Sequence, residues 1–168
     1  MQPTKTRVAC LISALLLVIS TSGYERPTKV TLTGGSTPIF KLSGNGELST
    51  FLVYLLPPSP ETMTHSINDE TPAWSLVAQP DWLHGRSIEE IGKLTYGVIP
   101  PGYAEPNAPQ PVIPGRIYFF ECETTDAPGD RGFFKVENGK TVPAEAKLNC
   151  RTNRGGKDVW GPCPSWAQ

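Results

Sequence analysis

A short polar cluster, Asp81-Trp82-Leu83-His84-Gly85-Arg86, holds the side chains of this chain that are best suited to binding chemistry. A tryptophan ring can stack on a sugar, and the guanidinium of Arg86 can pair with a carboxylate or a phosphate. We therefore take Trp82, His84 and Arg86 as the candidate binding residues. The alternative is an ordinary loop whose tryptophan packs on the edge of the domain.

The sequence carries no recognisable catalytic motif, and no catalytic residue is assigned. It contains no Gly-x-Ser-x-Gly motif of the kind that marks a hydrolase nucleophile. Glu121 and Glu123 could form an acid–base pair. Because they flank an inward-pointing Cys122 on a predicted strand, we expect both carboxylates to point outward into solvent.

The N-terminus has the pattern of a secretion signal. Two basic residues, an apolar run from Val8 to Ile19 and a group of small residues ending at Gly23 follow one another. Such a run rises only about 18 Å as a helix, which is too short for a bilayer. We expect residues 1–23 to be cleaved and the protein to be secreted or periplasmic, with no stable membrane anchor left. The alternative is a chain tethered to the membrane by an uncleaved N-terminal segment.

Removal of the signal would leave three cysteines. Cys10 lies inside the apolar run, and the other cysteines are Cys122, Cys150 and Cys163. An oxidising compartment permits one disulfide, for which we favour Cys150–Cys163, with Cys122–Cys150 as the rival. No Cys-x-x-Cys pair occurs and the histidines are isolated, so we expect neither a metal site nor a cofactor.

The charge balance bears on the class of partner. The chain has 15 basic and 16 acidic residues and a net charge of −1. A weakly acidic chain has little attraction for nucleic-acid backbones or anionic membranes. We therefore expect a protein or a cell-envelope component as the partner, and no nucleic acid.

Short apolar segments separated by turn residues predict strands through most of residues 24–150. The predicted strands are 29–33, 39–42, 48–56, 74–78, 94–98, 117–122, 132–137 and 140–142. This pattern predicts an all-β domain over 24–150, followed by an irregular Gly/Pro-rich tail over 151–168. The strand 48–56 is apolar on both faces, so it is either covered twice or faces a partner.

Turn residues give further local predictions. Gly44-Asn45-Gly46 and Asn138-Gly139 are typical of hairpins, and Pro100-Pro101-Gly102 is typical of a turn. Ser87-Ile88-Glu89-Glu90 fits a capping box. The prolines of residues 103–114 predict a stiff loop over one end of the fold, because proline has no amide donor for a sheet.

Residues 112–122, Val-Ile-Pro-Gly-Arg-Ile-Tyr-Phe-Phe-Glu-Cys, resemble the start of strand F in fibronectin type III and related immunoglobulin-like domains. The resemblance implies a single immunoglobulin/fibronectin III-like antiparallel β-sandwich. It also implies that Tyr118 is a corner residue whose hydroxyl bonds back to the preceding backbone. Phe120 and Cys122 would then point into the core.

The same resemblance implies that Gly132–Val136 is the next strand of the sheet and that Trp74 is a core residue. The whole chain also resembles small uncharacterised exported bacterial proteins with one such domain. The function we predict is a binding or interaction module. The alternatives are a small secreted hydrolase with a loop-borne site, using His84 with Asp81 or Asp69, and a subunit that joins a neighbouring sheet.

Overall fold

Alternating apolar and polar residues give the chain its strands, and the computed structural model describes residues 26–60, 66–79, 85–154 and 157–162. The last two strands are described by their backbone alone. The strands are β1 Lys29–Gly34, β2 Pro38–Ser43, β3 Glu47–Leu55, β4 Trp74–Ala78, β5 Arg86–Ser87, β6 Lys93–Thr95, β7 Tyr103–Ala104, β8 Ile117–Thr125, β9 Asp130–Glu137, β10 Lys140–Pro143, β11 Asn149–Arg154 and β12 Lys157–Pro162. A 3₁₀ turn spans Ile67–Asp69, and one short helix, α1, spans Ile88–Ile91.

Two antiparallel sheets pack face to face. The small sheet has the order β1-β2-β6, and the large sheet has the order β10-β9-β8-β3-β4-β7, with β5 paired to β3. One cluster of buried residues draws on both sheets. The fold is therefore the all-β sandwich that the sequence predicts.

Phe40 of the small sheet lies at the centre of the core. Its fully buried ring contacts Phe51, Phe120 and Phe134 of the large sheet, with ring centroids 4.8, 5.7 and 5.4 Å away. Trp74 is also fully buried and packs against Phe51. Aromatic pairs at these distances add to the apolar burial that holds the sheets together.

Strand β3 is covered on both faces. Phe51 and Val53 belong to the core between the sheets, whereas Tyr54 packs with Phe119 and Leu148 on the opposite face. The strand lies between β8 and β4. This confirms that it is a central strand covered twice, and both coverings come from within the chain.

One hairpin prediction is confirmed and one is wrong. Asn138-Gly139 joins β9 to β10 with φ values of 52° and 70°, the positive values that a two-residue hairpin turn requires. Gly44-Asn45-Gly46 instead connects β2 of the small sheet to β3 of the large sheet. Both strands bury apolar residues between the two sheets. The chain therefore passes from the small sheet to the large sheet at this turn, and β3 does not pair with β2.

Two predicted segments differ from the structure. Strand β6 ends at Thr95, because the Val98 N–H donates to the Thr95 carbonyl at 2.9 Å and Gly97 has a φ of 78°. The prediction of an irregular tail over 151–168 is wrong for its described part. There β11 and β12 form an antiparallel hairpin and a sheet of their own.

The turn is confirmed, and Ser87 is confirmed as the N-cap of α1, although it accepts from the Glu89 N–H and not from the Glu90 N–H that a capping box uses. The Tyr103 N–H donates to the Pro100 carbonyl at 3.3 Å, and Gly102 takes a φ of 87°. The Ser87 hydroxyl accepts from the Glu89 N–H at 3.2 Å and so caps α1.

Tyr118 makes the predicted corner contact. The Ile113 N–H donates to its hydroxyl at 2.9 Å, and its ring stacks on Phe134 with centroids 5.2 Å apart. Phe120 and Cys122 are buried in the core as predicted, and β9 follows β8 in the same sheet.

Tyr118→Phe should lower the free energy of unfolding by about 1–2 kcal/mol, because it removes the acceptor for the Ile113 N–H. Urea unfolding measures the change. Tyr54→Phe is the control, because no hydrogen bond to the Tyr54 hydroxyl is described while its ring is equally buried. Equal losses in the two variants would contradict a corner role for Tyr118.

Candidate functional site

Of the three predicted binding residues, only Arg86 lies within the described part of the chain. Trp82 and His84 lie outside it, as does Asp81. Their grouping with Arg86 therefore stays a prediction.

Arg86 is held in place by the sheet. It pairs with Leu48 in the register of β5 and β3, and its N–H donates to the Tyr103 hydroxyl at 3.2 Å. That hydroxyl in turn donates to the Leu48 carbonyl at 2.7 Å. The half-buried guanidinium has its Nε 3.7 Å from the Glu90 carboxylate, so part of its charge is already compensated.

Residues 98–114, which we call the proline-rich segment, run along the outer edge of β4. β7 lies in this segment and pairs with the end of β4. Further along, the Gln110 N–H donates to the Ala73 carbonyl at 2.9 Å. The segment contains six prolines, so it closes this edge while offering few donors to another strand. The segment that was predicted to lie over one end of the fold therefore lies along an edge of the large sheet and covers that edge.

Buried side chains of β4 fasten the proline-rich segment. The Ser75 N–H donates to the Asn107 carbonyl at 3.2 Å, the Ser75 hydroxyl donates to Asn107 Oδ1 at 2.9 Å, and the Asn107 N–H donates to Ser75 Oγ at 3.0 Å. The Trp74 indole N–H donates to the Glu105 carboxylate at 2.7 Å. Since Trp74 and Ser75 are buried, these bonds join the segment to the rigid part of the fold.

Tyr96, which directly follows β6 of the small sheet, makes a further contact with the proline-rich segment. Its hydroxyl lies 2.9 Å from the Gln110 carbonyl and 3.1 Å from the Ala73 carbonyl. Burial, followed by the nearby Tyr118, raises the pKa of Tyr96 to about 12. The hydroxyl therefore stays protonated at neutral pH and can donate to these carbonyls.

The proline-rich segment exposes large apolar side chains. Val98, Ile99 and Ile113 have 56%, 48% and 46% of their surface exposed. The one other large apolar residue in the described ranges with comparable exposure is Val77 on β4, at 37%. These residues were not predicted from the sequence, although an apolar Val98-Ile99 pair directly before Pro100-Pro101 was a usable signal.

A polar cleft of about 590 Å³, which we call the carboxylate cleft, opens on the outer face of the large sheet. Its lining includes Ser49, Glu121, Glu123 and Arg131. Both glutamates point outward as predicted. Glu121 is nevertheless half-buried, and burial followed by the charge of Glu123 raises its pKa, while Arg131 lowers it. The prediction of a fully solvated pair therefore holds for Glu123 and is wrong for Glu121.

Cys122 is a free thiol in the core, as its position on the strand predicts. Burial, followed by the charge of Asp130, raises the pKa of this thiol to about 12. It is therefore a poor nucleophile at neutral pH. The rival pairing Cys122–Cys150 is not formed, and the side chains of Cys150 and Cys163 lie outside the described part of the chain. Over the described ranges, no group of three or more His, Cys, Asp or Glu residues could hold a metal ion.

No family model matches the chain, no curated protein matches it, and no solved structure matches it. Among the described residues there is no helix of sufficient length and apolarity to cross a membrane. We therefore infer the function from the geometry of the chain's own surfaces.

Tyr96→Phe should destabilise the protein by about 1–2 kcal/mol at pH 7, because the Gln110 carbonyl loses the hydroxyl as a donor while the Ala73 carbonyl keeps the Gln110 N–H. The substitution should also change how steeply the free energy of unfolding falls at alkaline pH. The fold raises the pKa of Tyr96 above its ordinary value of 10, so this stabilisation is complete below pH 10 and is lost as pH rises towards about 12. Urea unfolding between pH 7 and 11.5 should show a shallower alkaline decline in the variant. An unchanged decline would contradict the assigned role of the hydroxyl.

Proposed function

We propose that this protein is an exported binding module that engages a protein partner through the proline-rich segment. The observation that carries the proposal is the exposure of Val98, Ile99 and Ile113 on a segment fastened to buried residues of β4. Exposed apolar side chains are typical of interaction surfaces when they are concentrated on one part of a domain, and three of the four exposed large apolar residues of the described ranges belong to this one segment.

Rigidity supports this role. A loop that is already ordered loses little conformational entropy when it binds, so more of the contact energy remains as affinity. Prolines reduce that entropy further by fixing φ. The bonds from Ser75, Trp74 and Tyr96 hold the segment in one arrangement before any partner arrives.

The fold type is part of the proposal. We propose an immunoglobulin/fibronectin III-like sandwich, in which β1, β2 and β6 correspond to strands A, B and E. β3, β8 and β9 then correspond to C, F and G, which are also neighbours in that fold. The hydrogen bond of Tyr118 supports the same correspondence. Domains of this kind carry their binding residues in their loops.

Export is proposed from the N-terminal pattern of residues 1–23, which places the partner in the periplasm or outside the cell. The mass of the protein from its producing cell tests this. A chain that begins at Tyr24 would support export, and a retained N-terminus would argue against it.

The binding role is tested by photo-crosslinking. A benzophenone amino acid at position 98 should give one discrete adduct with a protein of the same compartment. The same probe at Lys140, an exposed residue of β10, should not. Ile99→Asp should reduce the yield at position 98 about tenfold or more, since a charge is placed in an apolar contact.

Equal adducts from positions 98 and 140 would contradict a binding role for the segment. An adduct with the mass of two copies of this chain would assign the surface to self-association instead.

A further inference from the structure

The small sheet carries only positive charge. Its charged residues are Lys29, Lys41 and Lys93, and all three are exposed. Phe40 and Leu94, which alternate with them, are buried in the core. The lysines therefore lie on the outer face of the sheet, which we call the lysine face.

The strand register brings the lysines close together. Lys41 is directly opposite Lys93, and Lys29 is a diagonal neighbour of Lys41 because it pairs with Ser43. The backbone hydrogen bonds between β2 and β6 flank the Lys41–Lys93 pair and do not join it. In pairs of this kind the Cβ atoms lie about 4.5–5.5 Å apart.

This arrangement works against stability, because like charges directly opposite each other destabilise a sheet. Lysines on edge strands protect a sheet from pairing with other molecules, which accounts for Lys93 on β6. That explanation does not extend to Lys41, because β2 is hydrogen-bonded on both sides.

The charge of the lysine face is not compensated by the ion pairs of the described residues. Those pairs include Arg86 with Glu90 and Lys135 with Glu137, and neither pair contains a lysine of this face. The carboxylate cleft is formed mainly by β8 and β9 of the other sheet, and its Asp130 carboxylate accepts from the Val30 N–H of β1 at 2.7 Å without a described ion pair to a lysine. Within the described part of the chain, three positive charges without a described ion pair are thus gathered on one face, in a protein whose net charge is −1.

We infer that the lysine face binds an acidic polysaccharide. Its lysines can pair with the carboxylate groups of such a polymer. The hydroxyl residues Thr31 and Thr95, which share this face with the lysines, can bond to sugar hydroxyls. A face built from three adjacent strands suits an extended chain that crosses it.

Anionic lipids and nucleic acids fit this face less well. The exposed large apolar residues of the described chain are Val77, Val98, Ile99 and Ile113, so none on this face can enter a lipid layer. Three lysines also fall short of the roughly four to eight that recruit proteins to anionic lipids. The exposed residues of the face include no aromatic ring on which a nucleic-acid base could stack.

The test measures binding of the purified protein to polygalacturonate by titration calorimetry at several salt concentrations. Neutral dextran and phosphatidylglycerol vesicles are measured alongside. Lys41→Gln/Lys93→Gln removes the opposed pair. Lys140→Gln/Lys147→Gln is the matched control and removes two exposed lysines elsewhere.

The first variant should lose about tenfold or more in affinity for polygalacturonate. Its slope of log affinity against log salt should be shallower by about two, since two fewer ions are released. The control should stay within about twofold of the wild type. Equal losses in the two variants, no binding by the wild type, or tighter binding to the vesicles or to dextran would overturn the inference.

Lys93→Glu separates folding from binding. It converts the like-charge pair into an ion pair, so it should raise the unfolding midpoint by about 1–3 °C. It should also weaken polygalacturonate binding at least as much as Lys93→Gln does. A lower midpoint would contradict the opposed-lysine geometry. Because the lysine face and the proline-rich segment lie on different sheets, either proposal can fail without the other.

Discussion

The backbone groups along the outer edge of β4 need hydrogen-bond partners, and the proline-rich segment provides them. This requirement determines where several residues of the proline-rich segment lie. It places Asn107 against Ser75 and Glu105 against the indole of Trp74. It also carries Val98 into solvent, because the chain must turn after β6 before it can reach that edge. The surface we propose for binding is thus a consequence of how a sheet edge is closed.

The parts of the fold that follow from local pattern could be predicted from the sequence. The alternation in 117–122 predicts β8, and Asn138-Gly139 predicts the hairpin between β9 and β10. Both could be predicted because the period of two and the positive φ values are local properties. The contact of Tyr118 was implied by the resemblance of residues 112–122 to strand F, and it is also local, since its partner is only five residues away. Among the candidate binding residues, Arg86 could be selected from the sequence because of the chemistry of its side chain. Its pairing with β3 could not be predicted from the sequence.

The features that escaped prediction depend on contacts between distant parts of the chain. Gly44-Asn45-Gly46 reads as a hairpin until the pairing of β2 with β6 is known, because a turn sequence does not specify which sheet receives the next strand. The half-burial of Glu121 and the opposition of Lys41 to Lys93 likewise arise from register. Both features concern how charge is placed on an outer face, and the two outer faces of the sandwich differ in charge as a result.

The proposed binding surface requires the proline-rich segment to be an ordered part of the sandwich. Amide hydrogen exchange at Asn107 and Gln110 measures this order, because both N–H groups donate to β4 or to the residue before it. We predict slow exchange, with opening free energies close to that of the Ser75 amide on β4. Exchange at the rate of an unstructured peptide, while the amides of β3 and β8 stay protected, would contradict it. The segment would then be a mobile loop, and its apolar side chains would not form a preorganised surface.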